Sequence, residues 1–220
     1  MGAAALLLSN RPSDRRISKY ELSHTLLTHR AADDRSYKCV FQEADKEGAL
    51  GMTISKDLPA VRCEALKANI TTLCPLLLPT SEKLTFLATL IGQRFLNMRG
   101  LAPYVPDFKE AFKHFCIHAG GKAVLDAVET SLKLRAWDME PSRKTLYRYC
   151  NTSSSSMWYQ LAYVEAKGRV RRGDRVWQLG FGSGFKCASG VWRALMTIPP
   201  NEVDNPWLQV IDQFPISLPT

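Results

Sequence analysis

Three groups of residues have side chains and spacings that suit chemistry. His118 stands directly before Ala119-Gly120-Gly121, at the end of the apolar run Phe112 to Ile117. That run reads as a buried strand. Strand ends beside glycine turns are where open α/β sheets place ligands, and the glycines let a substrate approach the main chain closely. An imidazole here is either a donor to a reacting oxygen or a strand-end histidine satisfied by the fold. Asn151 opens the run Asn151-Thr152-Ser153-Ser154-Ser155-Ser156. Asparagine is a preferred helix N-cap, so capping alone accounts for it. A carboxamide at a helix N-terminus is also a good donor to an oxyanion. Gly180, Gly182 and Gly184 form GxGxG. A strand rather than a helix follows, so this is not the dinucleotide fingerprint. It reads as a tight β-turn, or as a backbone wall beside an acyl or phosphopantetheine arm.

Metal chemistry is not expected. His114 precedes His118 by four positions, but on a strand that offset only shares a face, and no acidic partner follows at HExxH spacing. The six cysteines (Cys39, Cys63, Cys74, Cys116, Cys150 and Cys187) contain no CxxC pair and no zinc-finger spacing. They read as free thiols, with Cys116 and Cys187 in the core. From spacing alone, His24 and His29 are strand and turn residues.

The elements that must position these groups follow from the pattern. Residues 2–9 read as a fully buried strand, and 22–29 and 36–43 as two strands joined by a turn at 31–34. A charged loop occupies 44–51. A helix is expected from Pro59 to about Leu73, with Asp57 as N-cap and an end at Cys74-Pro75. A second runs from Thr80 or Ser81 to about Asn97, with Leu84, Leu87, Ile91 and Phe95 on one apolar face. Gly100 to Pro106 is a loop. After the His118 turn come a helix over 122–134, a loop over 141–148, and a helix from about Met157 to Lys167. Arg175 to Phe181 and Phe185 to Leu195 read as strands around Gly182-Ser183-Gly184. This rhythm predicts an α/β fold, with a hint of a duplicated unit.

Composition bounds the function. The 220 residues carry 29 Lys plus Arg against 21 Asp plus Glu, a net charge of +8. The balance is that of a globular protein, which excludes a disordered tail, a collagen repeat and a coiled coil. The basic stretches Arg11 to Arg16 and Lys167 to Arg175 are solvated turns, or they face an anionic partner: phosphates of a small ligand, a membrane surface or nucleic acid. No nucleic-acid-binding motif occurs. The apolar runs Ala3 to Leu8 and Leu76 to Leu78 fall far short of the ~20 residues of a membrane-spanning helix.

The segments 115–126 (FCIHAGGKAVLD), 140–170 (EPSRKTLYRYCNTSSSSMWYQLAYVEAKGRV) and 173–195 (GDRVWQLGFGSGFKCASGVWRAL) resemble the plant very-long-chain 3-ketoacyl-CoA synthases. These are the condensing enzymes of fatty acid elongation. Residues 6–43 and 66–79 resemble the same family, and the likeness runs from about Gly2 to about Pro215. It implies a thiolase-like layered αβαβα fold, incomplete in its N-terminal half. Residues 1–100 would be the tail of the first half and 101–220 the second half. It implies a Cys-His-Asn site in which His118 and Asn151 are catalytic, supported by His114 and His29, with Gly182, Ser183 and Gly184 as the substrate wall.

The resemblance further implies acyl-CoA and malonyl-CoA as substrates, no cofactor, a homodimer or heterodimer, other elongase enzymes as partners, and no nucleic acid. It places the protein at the endoplasmic reticulum membrane, although the chain itself shows no spanning segment. None of the six cysteines lies in the family's nucleophile motif. The resemblance thus implies the C-terminal part of such an enzyme, starting at an internal methionine and inactive alone. The alternative is a non-catalytic homologue that dimerises with an intact synthase. Cys74 and Cys150 stand where related sequences typically show glycine. If the backbone at Cys150 has positive φ, the cysteine strains the turn beside Asn151.

Overall fold

A computed structural model describes residues 2–95, 106–200 and 205–214. Its centre is a four-stranded mixed sheet built from β1 (Tyr20–His29), β4 (His114–Ile117), β5 (Arg175–Gly182) and β6 (Lys186–Ala194), in the order β1-β6-β5-β4. β4 and β5 are parallel, with Ile117 opposite Leu179. β5 and β6 form an antiparallel hairpin, and β1 pairs antiparallel with β6 across the whole chain. The ends of β1, β4 and β5 therefore share one edge of the molecule.

Strand residues alternate between two apolar layers, as the pleat requires. Phe115, Ile117, Trp177, Leu179 and Val191 pack on one face with Val61, Ala65, Leu66 and Leu73 of α2 (Leu58–Leu77), and with Leu125, Val128 and Leu132 of α5 (Lys122–Leu132). Cys116 and Val176 face the other way, onto Leu161 of α7 (Ser156–Ala166). Trp177 is fully buried and stacks on Phe112 at 5.0 Å between ring centroids. α6 (Ala136–Tyr149) packs against α7, β4 and α5, and α1 (Asp34–Tyr37) and α4 (Phe108–Ala111) are one-turn helices. The helix α3 (Thr80–Phe95), a separate hairpin of β2 (Val40–Ala44) and β3 (Leu50–Ile54), and short 3-10 turns at Pro12–Arg16, Ser153–Ser155 and Ile211–Gln213 complete the described elements.

Several expectations are corrected. Residues 2–9 form no buried strand: they are almost wholly exposed and lack regular structure, because no described strand lies beside them to pair with. The charged loop at 44–51 ends early, where Leu50 starts β3. The Asp45 carboxylate accepts the Glu47 and Ala49 N–H groups at 2.9 Å and folds the hairpin there. The expected turn forms at residues 31–33, with the Asp33 N–H on the Arg30 carbonyl, but the strand expected at 36–43 becomes α1 followed by the shorter β2; the Asp33 side chain caps α1 by accepting from the Ser36 N–H. α2 does not stop at Cys74-Pro75. Buried Cys74, Leu77 and Leu78 hold its last turn in the core, and the Leu78 N–H still reaches the Cys74 carbonyl. The loop expected at 141–148 is helical. Asp138 and Arg135 form a capping box upstream of Pro141, and Met139, Ser142 and Thr145 are buried. The face Leu84, Leu87 and Ile91 is exposed rather than packed. Residues 96–105, with the expected end of that helix and most of the two-proline loop, lie outside the described residues.

Candidate active site

β4 delivers His118 to the shared edge of the sheet. The His118 N–H donates to the Leu179 carbonyl at 2.8 Å, so its main chain continues the ladder one residue beyond the strand. The chain then doubles back, with the Gly120 N–H on the His118 carbonyl at 2.8 Å. Gly121 has φ +152° and leads into α5. Gly120 packs on the imidazole: a Cβ there would lie 3.3 Å from His118 Cε1. The His118 Nε2 is buried and has no hydrogen-bond partner. Burial holds the ring below its ordinary value of 6.5, and the facing Asn151 side chain opposes that shift. At neutral pH the imidazole is therefore uncharged.

Asn151 lies between α6 and α7, in a loop its own side chain shapes. Its Oδ1 accepts the Ser153 N–H at 2.9 Å, and its Nδ2 donates to the Gly120 carbonyl at 3.3 Å. The carboxamide thus reaches across to the His118 turn, with only a long bond engaging its donor. Cys150 immediately before it has φ 57° and ψ −159°, a conformation that suits glycine. Asn151 is exposed and His118 half-buried, so the pair opens outward.

The peptides on either side of His118 are held by buried side chains. The Ile117 N–H donates to Ser142 Oγ at 3.1 Å, Ser142 donates to Gln160 Oε1 at 3.0 Å, and Gln160 Nε2 donates to the Ile117 carbonyl at 2.7 Å. The Ala119 N–H points to Ser156 Oγ at 3.4 Å, and Ser156 donates to the Ser153 carbonyl at 2.7 Å. Among the described residues no strand lies beyond β4, and these side chains meet the Ile117 and Ala119 main chain on that side instead. Sequence reading missed all three side chains. Ser142 fell in a segment read as loop. Ser156 and Gln160 carried a signal, two polar residues four apart among apolar neighbours on one helix face.

The remaining candidates are dispersed. His29 ends β1 and lies against the glycine turn: a Cβ on Gly184 (φ +114°) would sit 3.3 Å from its Nε2. His29, Gly182, Ser183 and Gly184 therefore form one cluster at the same end of the sheet as His118. Three inter-strand spacings, roughly 14 Å, separate β1 from β4. His114 sits at the opposite end of β4, four residues or ~13 Å from His118. It is buried, its Nε2 lies 3.0 Å from Asp174 Oδ2, and the same oxygen accepts the Arg171 N–H. The structure thus brings His118 and Asn151 together, groups His29 with the turn, and leaves His114 apart as a buried partner of Asp174.

All six cysteines are free. Burial pushes the Cys74 and Cys187 thiols up to about 12 and raises Cys39 and Cys116 as well. No cluster of potential metal ligands occurs among the described residues.

The mixed sheet and its flanking helices form a thiolase-like α/β fold. The family described as "FAE1/Type III polyketide synthase-like protein" matches residues 1–95, and "Chalcone and stilbene synthases, C-terminal domain" matches 97–196. The solved C-terminal type III polyketide synthase domain of Steely1 from Dictyostelium shares the fold, with TM-score 0.50 and 19% identity over 80% of this chain and 41% of that one. Over its whole length the chain is similar to plant 3-ketoacyl-CoA synthases. It is 59% identical over 219 residues to 3-ketoacyl-CoA synthase 11 of Arabidopsis thaliana, covering 100% of this chain and 43% of that protein. It is 59% identical over 223 residues to probable 3-ketoacyl-CoA synthase 20 of Oryza sativa subsp. japonica, covering 100% of this chain and 42% of that one. The chain spans about two fifths of the length of these relatives.

Proposed function

We propose that this chain supplies the carbanion-stabilising side of a centre that condenses a long-chain acyl-CoA with malonyl-CoA to a 3-ketoacyl-CoA. The observation that carries this reading is the neutral His118 imidazole with an unengaged Nε2, faced by the Asn151 carboxamide. When malonyl-CoA loses CO₂, the electron pair of the breaking bond moves onto the thioester oxygen. Two preset N–H donors, one from each side chain, hold that oxyanion without reorganising. The enolate carbon then attacks an acyl thioester, and the thiolate that carried the acyl group leaves. The buried cysteines do not suit that carrier, because burial keeps their thiols protonated. His29 and the Gly182-Ser183-Gly184 turn border the path of the acyl-CoA arm, and the surplus of positive charge suits CoA phosphates. No cofactor takes part in this scheme.

Assembly with a second thiolase-like chain, its own copy or an intact synthase, is supported by β1 being an edge strand among the described residues and by exposed Leu22 and Leu27 on it. The working place under this reading is the endoplasmic reticulum membrane, beside the other elongase enzymes. Among the described residues no helix is long and apolar enough to cross a membrane.

The test is a fusion of this chain behind the remaining length of the Arabidopsis thaliana relative, assayed for 3-ketoacyl-CoA from labelled malonyl-CoA. His118→Ala and Asn151→Ala should each cost ~10²–10³ in rate. Undiminished rates in both would overturn the reading.

A further inference from the structure

We propose that Ser142, Ser156 and Gln160 are positioning residues that index His118 to Asn151. The inference rests on the reading of that pair as the working donors. Ser156 and Gln160 lie four apart on α7, so they share one face, about 6 Å apart along the axis. Ile117 and Ala119 lie two apart along the strand direction, about 6.6 Å. The two spacings match, and one helical turn grips the peptides on both sides of His118.

All three side chains are fully buried. Ser142 closes a ring of three hydrogen bonds with Gln160 and the Ile117 peptide, satisfying its N–H and its carbonyl together. The same residues also govern the other donor. α6, which carries Ser142, ends one residue before Cys150-Asn151, and α7, which carries Ser156 and Gln160, begins five residues after Asn151. Ser156 donates to the Ser153 carbonyl, within the loop whose Ser153 N–H is held by Asn151. A shift of either helix would thus move strand end and asparagine loop by different routes, and the buried ring resists that shift.

The experiment follows the His118 ring by NMR, in the chain as it stands, with labelled histidine across a pH titration. Burial now holds the His118 midpoint below 6.5. Ser142→Ala and Gln160→Leu should loosen the ring's packing and move the midpoint up toward 6.5. Ser142→Thr keeps the hydroxyl and should retain the wild-type titration. Ser189→Ala removes a buried hydroxyl from a different network and should leave His118 unchanged. Folded Ser142→Ala and Gln160→Leu variants with the wild-type midpoint would overturn the proposal, as would a Ser189→Ala variant that moves it equally.

Amide hydrogen exchange on the unmutated chain supplies a second readout if a variant fails to fold. The Ile117 amide should exchange as slowly as the amides at the centre of the sheet, despite facing no strand, and rapid exchange there would overturn the proposal. Neither readout involves turnover, so the outcome is separable from the fate of the condensing assignment.

Discussion

Cys150 sits in left-handed backbone space, with φ 57°, at the hinge between α6 and the asparagine loop. A side chain there costs strain that glycine avoids, while glycine costs some entropy in the unfolded chain. Cys150→Gly should therefore stabilise the fold by about 1 kcal/mol, read as a raised midpoint in urea denaturation with an unchanged slope. This conformation was legible beforehand only as a condition, that a cysteine stands where glycine is usual. His118 supplies a second test. Its folded midpoint lies below 6.5, so on acidification the unfolded chain takes up the proton first. Stability from this group is present above about pH 6.5 and is lost as pH falls toward the folded midpoint. Buried His114 shifts in the same direction, burial again outweighing its Asp174 partner. Urea unfolding near pH ~7.5 and ~5.5 should show a smaller loss in His118→Gln than in the wild type. Equal losses would mean that the ring is not held neutral by burial.

Among the elements, α2 is fastened to the sheet through one polar side chain. Asn69 is fully buried and donates to Thr28 Oγ1 at 3.1 Å and the Cys187 carbonyl at 3.0 Å. Its Oδ1 accepts from Ser189 at 2.6 Å, and Ser189 in turn accepts from the Trp177 indole at 2.9 Å. Asn69→Leu would strand those partners in the core and should cost ~3 kcal/mol, measured by guanidinium denaturation. The elements around the site were the legible ones. β1, β4, α5, α7, β5 and β6 all appear within a few residues of their expected bounds, because each combines a clear apolar period with glycine or serine punctuation. The errors have local causes. Pro75 read as a helix end and Pro141 as the start of a loop, yet burial of the flanking residues outweighs the lost hydrogen bond at each. Residues 2–9 read as core because composition reports apolarity and not whether a partner strand exists. At the candidate site, the turn after His118 and the cap signal at Asn151 singled out both residues, while only the family resemblance paired them. Ser142 and Gln160 were not, since a buried polar ring depends on which helix crosses a strand edge, and no local pattern encodes that.

At the level of the whole molecule, several large apolar side chains face outward in groups. Leu84, Leu87 and Ile91 recur at helical spacing on α3 and are all exposed, although that spacing is one that normally marks a buried face. On the β2–β3 hairpin, Phe41, Leu50, Met52 and Ile54 are exposed too, and every residue of β3 is uncovered. Among the described residues, no strand lies along the outer side of β1 from Glu21 to His29. Contiguous apolar patches and free strand edges both drive association. The purified chain should therefore sediment as concentration-dependent oligomers, despite a charge of +8 that opposes contact between copies. Replacing Leu84, Leu87 and Ile91 together with glutamine should reduce that association while changing unfolding stability by no more than about 0.5 kcal/mol per site, since these side chains give up no core packing. Sedimentation velocity over a dilution series separates the contributions. If the triple variant associates as strongly as the wild type, the hairpin or the β1 edge carries the contact. If the wild type is a single monomeric species throughout, the exposed stripe is not sticky, and the reason for apolar residues at that spacing must lie in something other than burial.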